Sequence, residues 1–220
     1  MASLRAAAQC IGLSGQISIV KDFYGYRIKP SVSLSLLTQV RLLQGKHIHL
    51  NLIRTASFDD SQQKQIDFGL QLMRNIYATV NVGIGRIQRF FIPPGHEVIG
   101  GNDEFHNLIN EFSVPNASID VFLVHSIVGA AGKSPVDGSC DKDSKDDSGC
   151  VIGVENNADG LGLTLGQAIA HEVGHYLGLE HEDKLPDNLM FPRLLNDGKL
   201  YGGQGGVMVL HCSVNGGCQT

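Results

Sequence analysis

After about residue 45, the apolar positions follow the spacing of short strands and amphipathic helices in turn. The segment from Ile48 to Ile53 predicts a short strand. The next segment carries apolar residues at steps of four and three, which form one stripe on a helix: Ile66, Leu70, Met73, Tyr77 and Val80. Asp59, Asp60 or Ser61 can cap this helix. We expect the stripe to pack against a sheet.

The same order of elements continues through the middle of the chain. A strand is predicted over residues 84–92, and a short helix is predicted behind Asn102 or Asp103. Residues 119–128 are nearly continuously apolar and rich in β-branched side chains, which predicts a strand buried on both faces. A short apolar strand is predicted over residues 151–154, after a long polar loop.

The best-defined helix is predicted from Thr164 to about Leu177. Thr164 and Gln167 have the spacing of a capping box at its start. Gly178 suits the left-handed backbone conformation that ends many helices. The chain after this helix is rich in glycine and weakly periodic, and residues 1–45 give no clear assignment of elements.

Composition and charge restrict the class of protein. The chain has 220 residues, which suits one compact domain or one domain with a small appendage. Hydrophobic residues make up 42% and charged residues 18%, so the chain can bury a core. The net charge is −5 and no basic block is present, so nucleic acid is not an expected partner. No apolar run approaches the roughly 18 residues of a membrane helix, and we expect a soluble monomer.

The cysteines bear on the compartment of the protein. The chain has five: Cys10, Cys140, Cys150, Cys212 and Cys218. Their local spacing predicts the disulfides Cys140–Cys150 and Cys212–Cys218 with Cys10 left over, although spacing alone also allows five reduced thiols. The first residues make a poor secretory signal, but the paired cysteines favour a secreted or extracytoplasmic protein.

The loop over residues 140–150 is acidic, with carboxylates at Asp141, Asp143, Asp146 and Asp147. Such oxygen ligands are suited to Ca²⁺, but the loop lacks the glycine and the final glutamate of an EF-hand. A solvated acidic loop is the alternative interpretation.

The segment HEVGHYLGLEH carries the chemistry of this sequence. His171 and His175 lie four residues apart on the predicted helix, so their imidazoles face the same side and can share a metal ion. Gly178 lets the backbone leave the helix abruptly, which allows His181 to return as a third ligand. Three histidines leave a fourth tetrahedral position open, as in catalytic zinc sites. Glu172 can accept a proton from water without being a ligand.

This segment resembles the HExxHxxGxxH signature of the metzincin zinc endopeptidases at every defining position. These proteases also have a turn with a methionine beneath the metal-binding histidines, and Met190 fits that position. Pro192 stands where astacin-like members have a tyrosine, and the Met-Phe-Pro sequence is closer to the matrixins. Asp183 is an alternative third ligand, although His181 fills the motif position.

The resemblance implies a mixed, twisted β-sheet with a backing helix and an active-site helix. It divides residues 46–220 into an upper subdomain, 46–181, and a lower subdomain, 182–220, behind an N-terminal extension, 1–45. In metzincins the edge strand of the sheet pairs with the extended substrate, and residues 151–156 with Val154 are the candidate for that strand.

The resemblance also places part of the specificity pocket just after Met190. Phe191, Pro192 and Arg193 are the candidates for its wall. Arg193 would favour an acidic or polar substrate side chain, unless it simply faces solvent.

The resemblance therefore implies hydrolysis of peptide bonds in a protein or peptide substrate. One Zn²⁺ held by His171, His175 and His181 would activate water, with Glu172 as general base. A catalytically silent, zinc-containing peptide-binding or protein-binding module is the alternative from another class. Hydrolysis of a non-peptide amide is a third possibility.

Overall fold

The computed structural model describes residues 41–143, 147–193 and 198–217. The strands are β1 (Lys46–Arg54), β2 (Val82–Phe91), β3 (Val98–Ile99), β4 (Ile119–Val124), β5 (Ser126–Ile127), β6 (Gly132–Lys133) and β7 (Gly149–Gly153). The α-helices are α1 (Asp60–Ala78), α2 (Asn102–Phe112), α3 (Leu163–Tyr176) and α4 (Gly202–Met208), and Glu155–Asn157 form one turn of 3₁₀ helix.

The main sheet has five strands in the order β2-β1-β4-β7-β6. The first four are parallel to one another, and β6 pairs antiparallel with β7 at one edge. Strands β3 and β5 form a separate parallel pair. This confirms the predicted mixed α/β architecture with helices packed on a twisted sheet.

Helices cover both faces of this sheet. On one face, Ile48 and Leu52 of β1 share a buried cluster with the apolar stripe of α1 and with Leu165 and Ile169 of α3. On the other face, Ile53 of β1 belongs to a second cluster with Phe122 of β4 and the apolar side of α2. Every residue of β4 is buried, as the continuous apolar sequence predicts. Helix α3, which carries His171 and His175, therefore rests directly on the sheet.

Helix α1 begins where the sequence predicts. Asp59 is its N-cap: the Asp59 carboxylate accepts a hydrogen bond from the Gln62 backbone N–H at 2.8 Å, and the Gln62 side chain accepts one from the Asp59 N–H at 3.0 Å. This reciprocal pair satisfies two of the N–H groups that a helix start leaves without partners. The Tyr77 hydroxyl near the other end of α1 donates to the Ala170 carbonyl at 2.8 Å, which joins α1 to α3.

The predicted capping box of α3 is wrong. The helix begins at Leu163, and its N-cap is Gly162, with no side-chain capping bond. Asp159 instead accepts hydrogen bonds from the N–H groups of Leu161, Gly162 and Thr164. Partial burial opposes ionisation, but these bonds outweigh it and lower the pKa of Asp159 to about 2. A full negative charge at the helix start is a stronger partner for these donors than the Thr164 hydroxyl.

The predicted edge strand is also wrong. Residues 149–153 form β7, which lies inside the sheet between β4 and β6, and residues 155–157 are helical. The edge strand next to β7 is β6, which falls in the segment predicted to be a polar loop. The strand predicted over residues 119–128 divides too, because β5 leaves the main sheet and pairs with β3.

The disulfide connectivity differs from the prediction. Cys140 is bonded to Cys212 across 72 residues of sequence, with a Cα–Cα distance of 6.2 Å that suits a disulfide. Cys150 is a free, buried thiol in β7, and its Sγ donates to the Asp120 carbonyl at 3.5 Å. Burial in the sheet keeps Cys150 away from Cys140. Cys10 and Cys218 lie outside the described residues.

The acidic loop is anchored by its lysine. Lys142 reaches inward, and its ammonium lies 3.0 Å from the buried Asp120 carboxylate. Asp120 also accepts hydrogen bonds from Asn51 at 2.6 Å and Ser113 at 2.8 Å, so this buried charge is well paired. Lys142 therefore ties its part of the loop to the start of β4, while Asp141 and Asp143 beside it are exposed.

Within the described ranges, none of the helices has the length and apolarity needed to cross a membrane. Most of the predicted N-terminal extension, residues 1–40, lies outside the described residues. The boundaries after residues 45 and 181 stay predictions.

The first testable prediction concerns His49 on β1, whose Nδ1 accepts a hydrogen bond from the Arg86 N–H at 3.0 Å. Burial, followed by the charges of His47 and Arg86, lowers the pKa of His49 to about 4. Because the unfolded chain binds this proton near pH 6.5, the stability that neutral His49 contributes is lost as pH falls from about 6.5 to 4.

We expect His49→Asn, which keeps the acceptor for Arg86, to flatten this acid-induced loss of stability. Denaturant unfolding at several pH values measures it for both proteins. Parallel stability curves for the two proteins would show that His49 does not titrate in this way.

Candidate metal and active site

Three histidine side chains converge in front of α3. The Nε2 atom of His175 lies 3.0 Å from that of His171 and 3.1 Å from that of His181. His171 and His175 come from the last turns of α3 and are buried, whereas His181 lies beyond the helix and is exposed. The histidine triplet that the motif predicts is therefore brought together.

The donor set fits a zinc ion. Nitrogens about 2.0–2.1 Å from a tetrahedral zinc lie roughly 3.3–3.4 Å from one another, so the observed separations need to change by only a few tenths of an ångström. Among the described residues, His171, His175 and His181 form one of two groups whose ligand atoms converge closely enough to hold a metal. Neutral imidazoles at this spacing suit Zn²⁺ better than Ca²⁺, which prefers oxygen.

Backbone carbonyls orient two of the imidazoles. The Nδ1 of His171 lies 2.7 Å from the Leu189 carbonyl, and the Nδ1 of His175 lies 2.6 Å from the Leu179 carbonyl. A carbonyl only accepts, so each Nδ1 carries the proton and each Nε2 presents its lone pair to the shared point. Such partners fix the tautomer and ring orientation of metal-binding histidines.

The surroundings also keep His171 neutral. Burial lowers its pKa to about 4, against the opposing effect of the Leu189 hydrogen bond, and the neighbouring histidines lower it further. The pKa of His175 is lowered as well, mainly by burial. Because a metal binds only the neutral imidazole, this electrostatic setting favours ligation near neutral pH.

The turn after α3 delivers His181 to the other two histidines. Gly178 has φ +90°, the left-handed conformation that its sequence position predicts. The backbone reverses there, and Leu179 places its carbonyl against His175 before the chain reaches His181. Asp183, the alternative third ligand, is exposed and outside the converging group.

Glu172 lies beside the edge strand. Its side chain is buried, and a methyl group at position 132 of β6 would lie only 2.5 Å from Glu172 Cγ. Only glycine leaves room for the carboxylate at this place. Burial raises the pKa of Glu172 to about 8, so both of its protonation states are accessible near neutral pH.

Met190 packs against the turn of α3 that lies between His171 and His175. Its Sδ lies so close to Gly174 that a Cβ there would approach within 2.8 Å, and Gly174 stands between His171 and His175 in the sequence. Met190 is fully buried, and its N–H donates to the Asn188 side chain at 2.8 Å. This methionine therefore supports the helical turn that carries two of the three histidines.

The predicted substrate contacts are dispersed. Val154 is 1% exposed in the core, so its side chain cannot reach a substrate. Phe191 is half-buried, and its N–H donates to the Asn188 carbonyl at 3.1 Å. Pro192 and Arg193 are exposed next to the Met190 turn. All three follow Met190 directly in the sequence, and their role in a specificity pocket stays a prediction.

A segment that sequence reasoning missed holds the end of α3. The N–H groups of Asp137 and Gly138 donate to the carbonyls of His175 and Tyr176 at 3.0 and 2.9 Å, and the Tyr176 hydroxyl donates to the Ser139 carbonyl. These bonds satisfy carbonyls that a helix end leaves without partners. The loop thus fixes the helical turn that carries His175.

Residues 211–213 near the C-terminus hold the loop of residues 137–140 in place. His211 is buried; its Nε2 donates to the Gly138 carbonyl at 2.8 Å, and its Nδ1 accepts from the Ser213 N–H at 3.1 Å. The Cys140–Cys212 disulfide closes the same junction. Cys140, His211 and Cys212 are the second converging group of possible metal ligands among the described residues. Their sulfurs are bonded to each other and both His211 nitrogens have protein partners.

The carboxylates of the acidic loop belong to neither converging group in the described part of the chain. The Asp141 carboxylate instead accepts a hydrogen bond from the Asp143 N–H at 3.0 Å. Asp146 lies outside the described residues. No finding supports the predicted calcium site.

Comparison with solved structures shows where this fold occurs. The chain is similar to metalloproteinase-II from Bacteroides fragilis, with a TM-score of 0.54 and 12% identity over 78% of this chain and 54% of that one. It is similar to an archaemetzincin from Methanopyrus kandleri, with a TM-score of 0.53 and 14% identity over 75% of this chain and 95% of that one.

A chain in a chaperone–substrate complex has a TM-score of 0.52 and 14% identity over 77% of this chain and 34% of its own length. The chain thus spans about half of the Bacteroides protein, a third of this one and nearly all of the archaemetzincin. No family profile and no curated protein matches the sequence. The fold is that of the Bacteroides metalloproteinase and the archaemetzincin. In this chain the fold carries a site of three histidines.

The Cys140–Cys212 disulfide gives the second prediction. We expect the Cys140→Ser/Cys212→Ser variant to lose about 4 kcal/mol of unfolding free energy, the loop-entropy value for a closure of 72 residues. Denaturant unfolding measures this loss. Wild-type protein in a reductant serves as the control and should match the variant, which should itself not respond to the reductant. Equal stability of variant and oxidised wild type would contradict the assignment.

Proposed function

We propose that this protein is a zinc-dependent endopeptidase. One observation carries the proposal: the Nε2 atoms of His171 and His181 lie 3.0 and 3.1 Å from that of His175, next to a buried glutamate in the sequence, on a metalloproteinase fold. A structural zinc site would need a fourth protein ligand, and the converging group contains three. Glu172 is not among the converging ligands, and it lies in the same helix as His171 and His175.

In this proposal His171, His175 and His181 would hold Zn²⁺, which when bound would provide Lewis-acid polarisation of the scissile carbonyl and acidification of water. Glu172 accepts the proton of the attacking water and donates it to the leaving amine. Burial away from water raises the pKa of Glu172, which makes its carboxylate a stronger proton acceptor.

The geometry also suggests how a peptide would lie. β6 is the edge strand of the sheet on the side of Glu172, and Gly132 on this strand lies against the Glu172 side chain. An extended peptide that pairs with β6 would therefore bring its backbone beside the general base. Phe191, Pro192 and Arg193 are our candidates for the neighbouring specificity pocket, with Met190 as the supporting methionine.

The narrower assignment is part of the same proposal. The HExxHxxGxxH motif and the turn at Met190 support membership of the metzincin clan, with a matrixin-like Met-Phe-Pro sequence. The Cys140–Cys212 disulfide supports an extracytoplasmic protein, because disulfides persist in oxidising compartments. We further propose that the chain acts as a monomer.

The third prediction tests the function. We expect zinc-loaded protein to cut a diverse peptide library, and the cuts to disappear with a zinc chelator. Glu172→Gln keeps the size of the side chain but removes the base, so turnover should fall roughly 10²–10⁴-fold while one zinc per chain is retained. Mass spectrometry identifies the cuts, and elemental analysis counts the zinc.

Near wild-type turnover by Glu172→Gln would contradict the role of Glu172. Zinc bound at one equivalent by the wild type without any cuts would instead favour the non-catalytic binding module. Cuts that persist in the chelator would show that the activity belongs to another enzyme or another site.

The fourth prediction concerns the contact between β6 and Glu172. We expect Gly132→Ala to displace the carboxylate, since its new methyl group would lie 2.5 Å from Glu172 Cγ. Hydrolysis should fall on the order of 10²-fold, as for other small misplacements of catalytic groups, with little change in zinc content. Gly101→Ala is the control, because nothing lies within 4 Å of a Cβ there. Equal activity of all three proteins would refute the packing argument.

A further inference from the structure

Two buried or half-buried amides pair beside the Met190 turn. The Asn188 Nδ2 donates to the Gln204 Oε1 at 3.0 Å, and the Gln204 Nε2 donates to the Asn188 Oδ1 at 3.0 Å. Each oxygen also accepts a backbone bond: Asn188 Oδ1 from Met190 at 2.8 Å, and Gln204 Oε1 from Tyr201 at 3.0 Å. Asn188 is 3% exposed, so few of these bonds can be replaced by water.

This amide pair joins two segments that no regular element connects. Asn188 begins the turn that contains Met190, and Gln204 lies in the first turn of α4. The backbone around Asn188 is held by further bonds, from the Leu189 N–H to the Lys199 carbonyl at 2.8 Å and from the Phe191 N–H to the Asn188 carbonyl at 3.1 Å. The position of Leu189 is thus set from both sides.

Leu189 supplies the carbonyl that orients His171, 2.7 Å from its Nδ1. The two metal-binding histidines of α3 differ in this respect. His175 bonds to Leu179, only four residues further along the chain, whereas the partner of His171 lies 18 residues away on a separate segment. His171 therefore needs a tertiary brace that His175 does not need.

We infer that the Asn188–Gln204 amide pair is a positioning device for the metal site, which fixes the Leu189 carbonyl and through it the orientation and tautomer of His171. The inference rests on the proposed zinc site but not on hydrolysis. Gln204 touches neither a histidine nor Glu172 in the described contacts, and it acts on His171 only through Asn188 and Leu189.

The fifth prediction follows from this chain of contacts. Gln204→Leu removes all three hydrogen bonds of the Gln204 amide and leaves the Asn188 Nδ2 and the Tyr201 N–H without their partner. In the full chain, treated with a chelator, nitrogen-15 NMR of the imidazoles should show His171 losing its fixed Nδ1–H tautomer. His175 is the internal control, because Leu179 holds it independently, and it should not change.

Metal affinity gives the second readout. We expect Gln204→Leu to weaken zinc binding roughly 10–100-fold in competition with a chelator, the usual effect of removing an outer partner of a ligand. Tyr201→Phe is the matched control: it removes the bond from the Tyr201 hydroxyl to Asp187, 3.1 Å long, in the same segment but leaves the amide pair. It should bind zinc like the wild type.

Gln204→Glu provides a milder variant in case Gln204→Leu does not fold. It keeps the two acceptor bonds and replaces the donor to the Asn188 Oδ1 by a second carboxylate oxygen, which cannot bond to it. We expect a smaller loss of the His171 Nδ1–H tautomer and a smaller decrease in zinc affinity than in Gln204→Leu. An unchanged His171 tautomer and unchanged zinc affinity in a folded variant would overturn the inference, as would equal changes at His171 and His175. Absence of hydrolysis in every protein would bear on the proposed function alone.

Discussion

A metal-binding imidazole keeps one nitrogen free for the ion and usually donates the other to a partner that orients the ring, and this requirement shapes the site. His171 and His175 meet it with Nδ1–H bonds to two backbone carbonyls. Those carbonyls have to come from chain that lies behind the rings, which neither the helix nor the sheet can supply. The sharp turn after α3 and the segment that contains Met190 are the parts of the fold that supply them. Their positions therefore decide whether three nitrogens meet at one point.

The positions of His171 and His175 depend on helix α3, which is held in place by contacts along its length. The sheet and α1 hold its inner face, with the Tyr77 hydroxyl bonded to the Ala170 carbonyl. Asp159 holds its start, and residues 137–139 hold its last turn. The same close packing that fixes the helix removes water from it, which lowers the pKa of His171 and raises that of Glu172. Rigidity and electrostatic tuning thus have one physical origin.

The sequence predicts the features that are local. The three histidines, Glu172 and the Gly178 turn lie within eleven residues, so helical geometry alone brings most of them together. The stripe of α1 and the apolar run of β4 are equally direct. The edge strand was missed because two residues, Gly132 and Lys133, are too short for any periodic pattern. The disulfide and the Asn188–Gln204 pair depend on tertiary contacts that sequence spacing does not encode.

The shortness of β6 has a consequence for how the protein behaves in solution. An open sheet edge offers unpaired backbone groups to any extended chain, including a second copy of the same protein. Here only two residues form the edge strand, and Pro135 follows shortly after them. Lys133 adds a charge, whose ammonium lies 4.4 Å from the centre of the Phe105 ring. A growing intermolecular sheet would find only these two residues as a template at β6, so this edge does little to promote aggregation.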